Sequence, residues 1–149
     1  MKKTDLSKKN SMSKTYNWMD WGIQQALGEN PDITCAYYGG GASNVLTAQQ
    51  HKKNWILEGL GFCPHKYYGD IGCGWGNMLS EVSKRGGIPV GWTLSTKQWA
   101  YCKQQGYDVR LENWNEMDPQ SLPKFNGVMA IGSPEHFVTP KQHLAGEQE

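Results

Sequence analysis

Apolar positions along the chain change period several times, and each change marks a predicted element. Met19, Ile23, Ala26 and Leu27 recur at helical spacing with Trp18 and Trp21 beside them, predicting an amphipathic helix that ends near Gly28. Residues 31–43, with Gly39-Gly40-Gly41 inside them, read as loop. Thr47 and Gln50 have the spacing of a capping box, opening a helix that carries Trp55, Ile56, Leu57 and Leu60 and closes at Gly61 and Pro64. From there short strand patterns and helix patterns take turns. A strand ends near Ile71, and a helix carries Met78, Leu79 and Val82 as far as Gly86-Gly87. A second strand covers Ile88 to Trp92, and Ser95 with Gln98 caps a helix holding Trp99, Ala100 and Cys102 that stops at Gly106. A third strand spans Asp108 to Leu111, and a fourth Gly127 to Ile131.

Strands alternating with helices predict an α/β protein with a doubly wound parallel sheet, which binds ligands outside the carboxyl ends of its strands. Those ends are Gly72 to Gly76, Thr93 to Ser95, Trp114, and Ile131 to Glu135. The first of them lies in "DIGCGWGNM", which sets Gly72, Gly74 and Gly76 at alternate positions between a strand and a helix. Such a turn lets a ligand press against backbone. Nucleotides, dinucleotides and S-adenosylmethionine all use that geometry.

The surrounding residues narrow the choice. A dinucleotide fingerprint needs a third glycine at position 77, which is Asn77, and an acidic residue about 20 positions on, where the chain reads Trp92-Thr93-Leu94. A P-loop needs Lys and then Ser or Thr after its last glycine, and neither follows Gly76. Three glycines at alternate positions after a strand therefore favour S-adenosylmethionine, with a purely structural turn as the alternative.

Composition adds less. The 149 residues are 38% hydrophobic with seven Trp and seven Tyr, as in a globular chain with a real core. The net charge of +1 hides an asymmetry, because the first fifteen residues hold five Lys against one Asp. That basic tail reads as a solvated end, with contact to anionic lipid head groups or nucleic acid as the sharper alternative. It has no apolar segment of a secretory signal, and no stretch approaches the ~18 apolar residues of a membrane span. Cys35, Cys63, Cys73 and Cys102 form no C-x-x-C pair, which fits reduced thiols in a cytoplasmic protein. Cys63, His65 and Cys73 lack the usual zinc-ligand spacing, so no metal site is expected.

"TCAYYGG", "DIGCGWG", "GWTLSTKQ", "ENWNEM" and "AIGSPEHF" occur in this order. Together they resemble the cyclopropane fatty acid synthase and mycolic acid cyclopropane synthase family of methyltransferases, over roughly Asp32 to Val138. The resemblance implies a Rossmann-like class I methyltransferase fold, S-adenosylmethionine as cofactor, and an unsaturated acyl lipid as methyl acceptor. Some relatives methylate carbon or nitrogen of other small molecules, and an inactive cofactor-binding fragment is a further alternative. No nucleic-acid partner is implied. On this reading residues 1–30 are the basic tail and short helix, and residues 31–149 the N-terminal half of the methyltransferase domain.

Matching positions inherit roles from the family. Gly72, Cys73 and Gly74 would form the turn against the methionine part of the cofactor. Thr93, Leu94 and Gln98 would lie along its ribose and adenosine, and Trp114 and Asn115 would flank the adenine. Ile33 and Thr34 fall where the family's N-terminal segment closes over the cofactor. Cys35, Glu135 and the backbone at Ile131 match residues that hold a bicarbonate ion, the base that takes a proton from the transferred methyl. Read without the family, Cys35 is a small buried residue, Trp114 is core, and Glu135 is an acid at a helix start.

The chain departs from the family at Gly69, where an apolar strand residue is usual, and at Pro134. Relatives continue with three more strands and with a His and a Tyr that complete the bicarbonate site. The 149-residue chain is thus expected to be incomplete, poorly stable and catalytically silent, with its fourth strand open to pairing with a second copy.

Overall fold

A computed structural model describes residues 32–136, together with the backbone of Gly22. The basic tail and the helix predicted around Met19 to Leu27 lie outside the described residues, except for Gly22, which is helical. The described elements run α1 (Val45–Gly59), β1 (Tyr67–Ile71), α2 (Asn77–Lys84), β2 (Ile88–Thr93), α3 (Thr96–Gln104), β3 (Asp108–Leu111) and β4 (Phe125–Met129). Single 3-10 turns follow at Trp114–Glu116, Pro119–Ser121 and Pro134–His136. The four strands form one parallel sheet in the order β3-β2-β1-β4. The chain winds outward from β1 to β3 and returns to the far side of β1, so the order reverses at β1. That reversal point is where a ligand crevice opens.

Two predicted elements shift. Helix α1 begins one turn early: Asn44 is its N-cap, and its side-chain oxygen accepts from Thr47 N at 2.9 Å. Gln50 does not reach back to close a capping box. Its amide donates to Glu81 Oε1 at 3.0 Å and so ties α1 to α2. The Ser95 cap is as predicted, with its side chain accepting from Gln98 N. Strand β4 runs Phe125–Met129 rather than Gly127–Ile131. It starts early because Phe125 pairs with Tyr67, and a bulge at Asn126 then brings Gly127 opposite Tyr68. It ends early because the chain turns through Gly132 at φ 65.

Strand alternation places Tyr68, Asp70, Gly91, Val109 and Met129 on one face of the sheet. All three helices pack there. Leu60, at the end of α1, would stand 3.1 Å from a Cβ on Gly127, and Leu79 of α2 would stand 2.9 Å from one on Gly91. Cys102 of α3 joins Val109, Leu79 and Cys73 in one buried cluster, while Leu57, Tyr68, Met78, Val82 and Met129 form the other. The opposite face carries Trp92, buried against Phe125 and beneath the Arg110 guanidinium. Gly69 belongs to this face, and a Cβ on it would meet both Trp92 and Val128 at 3.3 Å. The glycine that breaks the apolar pattern of β1 therefore makes room for an indole.

Candidate functional site

Because all four strands are parallel, their carboxyl ends gather at one edge of the sheet. The turn after β1 is the centre of that edge. Gly72, Gly74 and Gly76 all take positive φ, at 81, 54 and 80, a conformation that glycine adopts without strain. Their surroundings differ. A Cβ on Gly72 would overlap Ser133 at 2.5 Å, and one on Gly76 would press on Cys102 Sγ at 3.1 Å. A Cβ on Gly74 would meet nothing within 4 Å. Two glycines thus serve close packing, and the middle one faces open space.

Three amides of the turn are committed. Gly72 N and Cys73 N both donate to Trp92 O at 2.9 Å, and Gly76 N donates to Cys73 O at 2.9 Å. A phosphate cradle uses such N–H groups for the ligand. Here they brace the loop, which agrees with the failure of both nucleotide fingerprints. The Cys73 side chain points inward and is buried. A hydrogen bond with Cys102, and then burial, push its thiol well above the ordinary cysteine value. Cys73 therefore contributes backbone to the turn and a side chain to the core.

Asp70 heads the motif, and sequence reasoning gave it no role. It lies on the helix-covered face of β1, 3% exposed. Burial, and then the nearby Asp32 carboxylate, raise its acid to about 7. A buried acid with a raised pKa, two positions before the glycine turn, is a candidate functional residue. Its place at the start of "DIGCGWG" was the available signal.

The other strand ends supply the remaining residues. Thr93 and Gln98 are both buried, and Thr93 Oγ1 donates to Gln98 Oε1 at 2.9 Å while also accepting from Ser95 N at 3.1 Å. They shape the loop after β2, with half-buried Leu94 between them. Trp114 is 36% exposed on the first 3-10 turn, so the core reading of this indole does not hold. Asn115 is exposed beside it, its N–H held by Asn113 Oδ1.

After β4, Ser133 Oγ donates to Ile71 O at 2.6 Å and fixes the last loop to the end of β1. A Cβ on Gly132 would stand 2.9 Å from the Thr34 methyl and 4.0 Å from Glu135 Oε1. Thr34 and Glu135 thus flank the same glycine, although 101 positions separate them in the chain. Cys35 and Ile33 beside Thr34 are both exposed, which overturns the reading of Cys35 as a small buried residue. Ile131 is half-buried next to Gly132. Two further residues of this region escaped the sequence reading, Gln49 and Lys52, both buried on α1.

Among the described residues, no group of three His, Cys, Asp or Glu is placed to hold a metal ion. Cys63 and His65 lie exposed before β1, whereas Cys73 is buried beyond its other end. No helix among the described residues is long and apolar enough to cross a membrane.

Comparison with known proteins gives consistent relatives. The family model for mycolic acid cyclopropane synthetase matches residues 3–144. Cyclopropane mycolic acid synthase 2 of Mycobacterium leprae is 32% identical over 123 residues, which are 73% of this chain and 39% of that protein. Cyclopropane-fatty-acyl-phospholipid synthase of Escherichia coli is 32% identical over 115 residues, 74% of this chain and 28% of that protein. Among solved structures, mycolic acid cyclopropane synthase CmaA1, complexed with SAH and CTAB, matches with a TM-score of 0.73 at 28% identity. That match covers 88% of this chain and 47% of the other. The chain spans less than half the length of each of these three relatives.

Proposed function

The chain belongs to the mycolic acid cyclopropane synthetase family and has its Rossmann-like class I methyltransferase fold, and from this we propose that it binds S-adenosylmethionine and serves methyl transfer to an unsaturated acyl lipid. The observation that carries the cofactor reading is the open position at Gly74 between two packed glycines. A Cβ there would fill space that nothing else in the described chain occupies. The braced amides of the turn support a phosphate-free ligand over a nucleotide.

When bound, this cofactor supplies a methyl group already activated on a sulfonium, so the protein's task is mainly alignment. Gly72 to Gly74 would hold its methionine part through backbone. Thr93, Leu94 and Gln98 would border the ribose, and the exposed Trp114 face with Asn115 would take the adenine. Ile33 and Thr34 would close the site from the N-terminal side. Cys35, Glu135 and the Ile131 backbone would hold a small anionic base, bicarbonate in this proposal, with Glu135 orienting it toward a proton. The proximity of Thr34 to Glu135 across Gly132 supports placing cofactor closure and base in one site.

The test is Glu135→Gln in a protein carrying this chain, assayed with methyl-labelled cofactor and vesicles of unsaturated phospholipid. We expect lipid labelling to fall about a hundredfold, as for loss of a general-base arrangement, with cofactor affinity little changed. Equal loss of affinity and turnover would mean that Glu135 serves binding or folding. Equal labelling of saturated lipid would overturn the acyl-alkene substrate.

A further inference from the structure

We infer that Lys52 and Gln49 are positioning residues, clamping the Asp32–Cys35 segment to α1 so that it closes over the cofactor end of the sheet. The inference rests on the reading of that end as an S-adenosylmethionine site. The contacts all run from one buried helix face to one short segment. Lys52 Nζ reaches Asp32 Oδ2 at 2.8 Å and Thr34 Oγ1 at 2.6 Å. Gln49, one helical turn earlier, donates its amide to Thr34 O at 2.8 Å and Asp32 O at 3.3 Å. Within the segment, Thr34 N and Thr34 Oγ1 both donate to Asp32 Oδ1.

Packing alone does not account for this arrangement. A buried ion pair adds little net stability over apolar side chains of the same size, because two charges lose their water. What it adds is direction. Gln49 points the same way: its two donor bonds to carbonyl oxygens fix the amide, and leave Oε1 buried without a partner. An unsatisfied acceptor is a cost, tolerated here while the N–H groups hold the segment. The clamped residues also touch the site. Thr34 abuts Gly132 beside Glu135, and the field of Asp32 reaches Asp70. Cys35, the next residue along, is exposed and carries a free thiol.

The experiment pairs calorimetric titration with S-adenosylhomocysteine and alkylation of Cys35 by N-ethylmaleimide, followed by mass spectrometry. Cys63, exposed before β1, is the internal reference. In the parent chain, we expect the ligand to slow Cys35 alkylation about tenfold and to leave Cys63 unchanged. In Lys52→Met, affinity should fall about tenfold, as for a lost charge-assisted bond, and the protection of Cys35 should disappear. Asp32→Asn/Lys52→Met removes both charges together and should behave alike with its helical circular dichroism retained. Parent-like affinity and protection in the folded variants would overturn the clamp and leave the cofactor reading intact. Unfolding of both variants would make Lys52 a purely structural residue and overturn the clamp as well. Absence of ligand binding by the parent chain would overturn the cofactor reading itself, and the clamp with it.

Discussion

Asp70 makes the sharpest residue-scale prediction. Its folded-state acid sits near 7 against an unfolded value near 3.8, so the folded chain holds a proton that the unfolded chain has released. Stability tied to that proton is intact below the unfolded value and is lost as pH rises through about 7. Asp70→Asn cannot titrate, so it should be more stable than the parent at pH 8, by on the order of 2–4 kcal/mol, and should converge with it below about pH 4. Urea melts across that range check it, and a difference independent of pH would refute the burial argument. The glycines make a paired prediction. Gly74→Val costs about 1–2 kcal/mol for its left-handed backbone but meets no neighbour, so it should still melt cooperatively while losing the cofactor. Gly72→Ala drives a methyl into Ser133 and loosens its bond to Ile71, so its melting temperature should drop further than that of Gly74→Val.

At the scale of elements, helix α1 separates what a sequence reveals from what it conceals. Its existence was legible from Trp55, Ile56, Leu57 and Leu60, but its start was not. Asn44 and Thr47 are both good cap residues, and spacing alone favours Thr47 because Gln50 follows three positions on. The tertiary contact of Gln50 with Glu81 settles the matter in favour of Asn44. Asn44→Ala should therefore cost about 1 kcal/mol of stability and Thr47→Ala clearly less, measured by urea melts. Losses in the reverse order would restore the capping box. Lys52 and Gln49 were illegible for a related reason: polar residues on a helix read as solvated unless their partners are known, and these partners lie 15 to 20 positions away. The sequence pattern places strand β4 two residues late because Phe125 and Asn126 precede a glycine and form a bulge. No periodicity marks a bulge. By contrast β3 was found residue for residue, since Gly106 and the polar loop after Leu111 punctuate both its ends.

For the whole molecule, the parallel order β3-β2-β1-β4 turns residues scattered over the described chain into one edge. The motifs were legible singly because each stands at a strand end. Their convergence followed from the alternation of strands and helices. The packing of α1, α2 and α3 on one face of the sheet was not legible, because alternation fixes neighbours and not faces. This edge is proposed to hold S-adenosylmethionine and not a nucleotide. Isothermal titration of the chain with S-adenosylmethionine, in parallel with ATP and NAD, tests it most directly. We expect saturable one-to-one binding of S-adenosylmethionine and no measurable heat from either nucleotide. Saturable binding of ATP or NAD, with no response to S-adenosylmethionine, would contradict it.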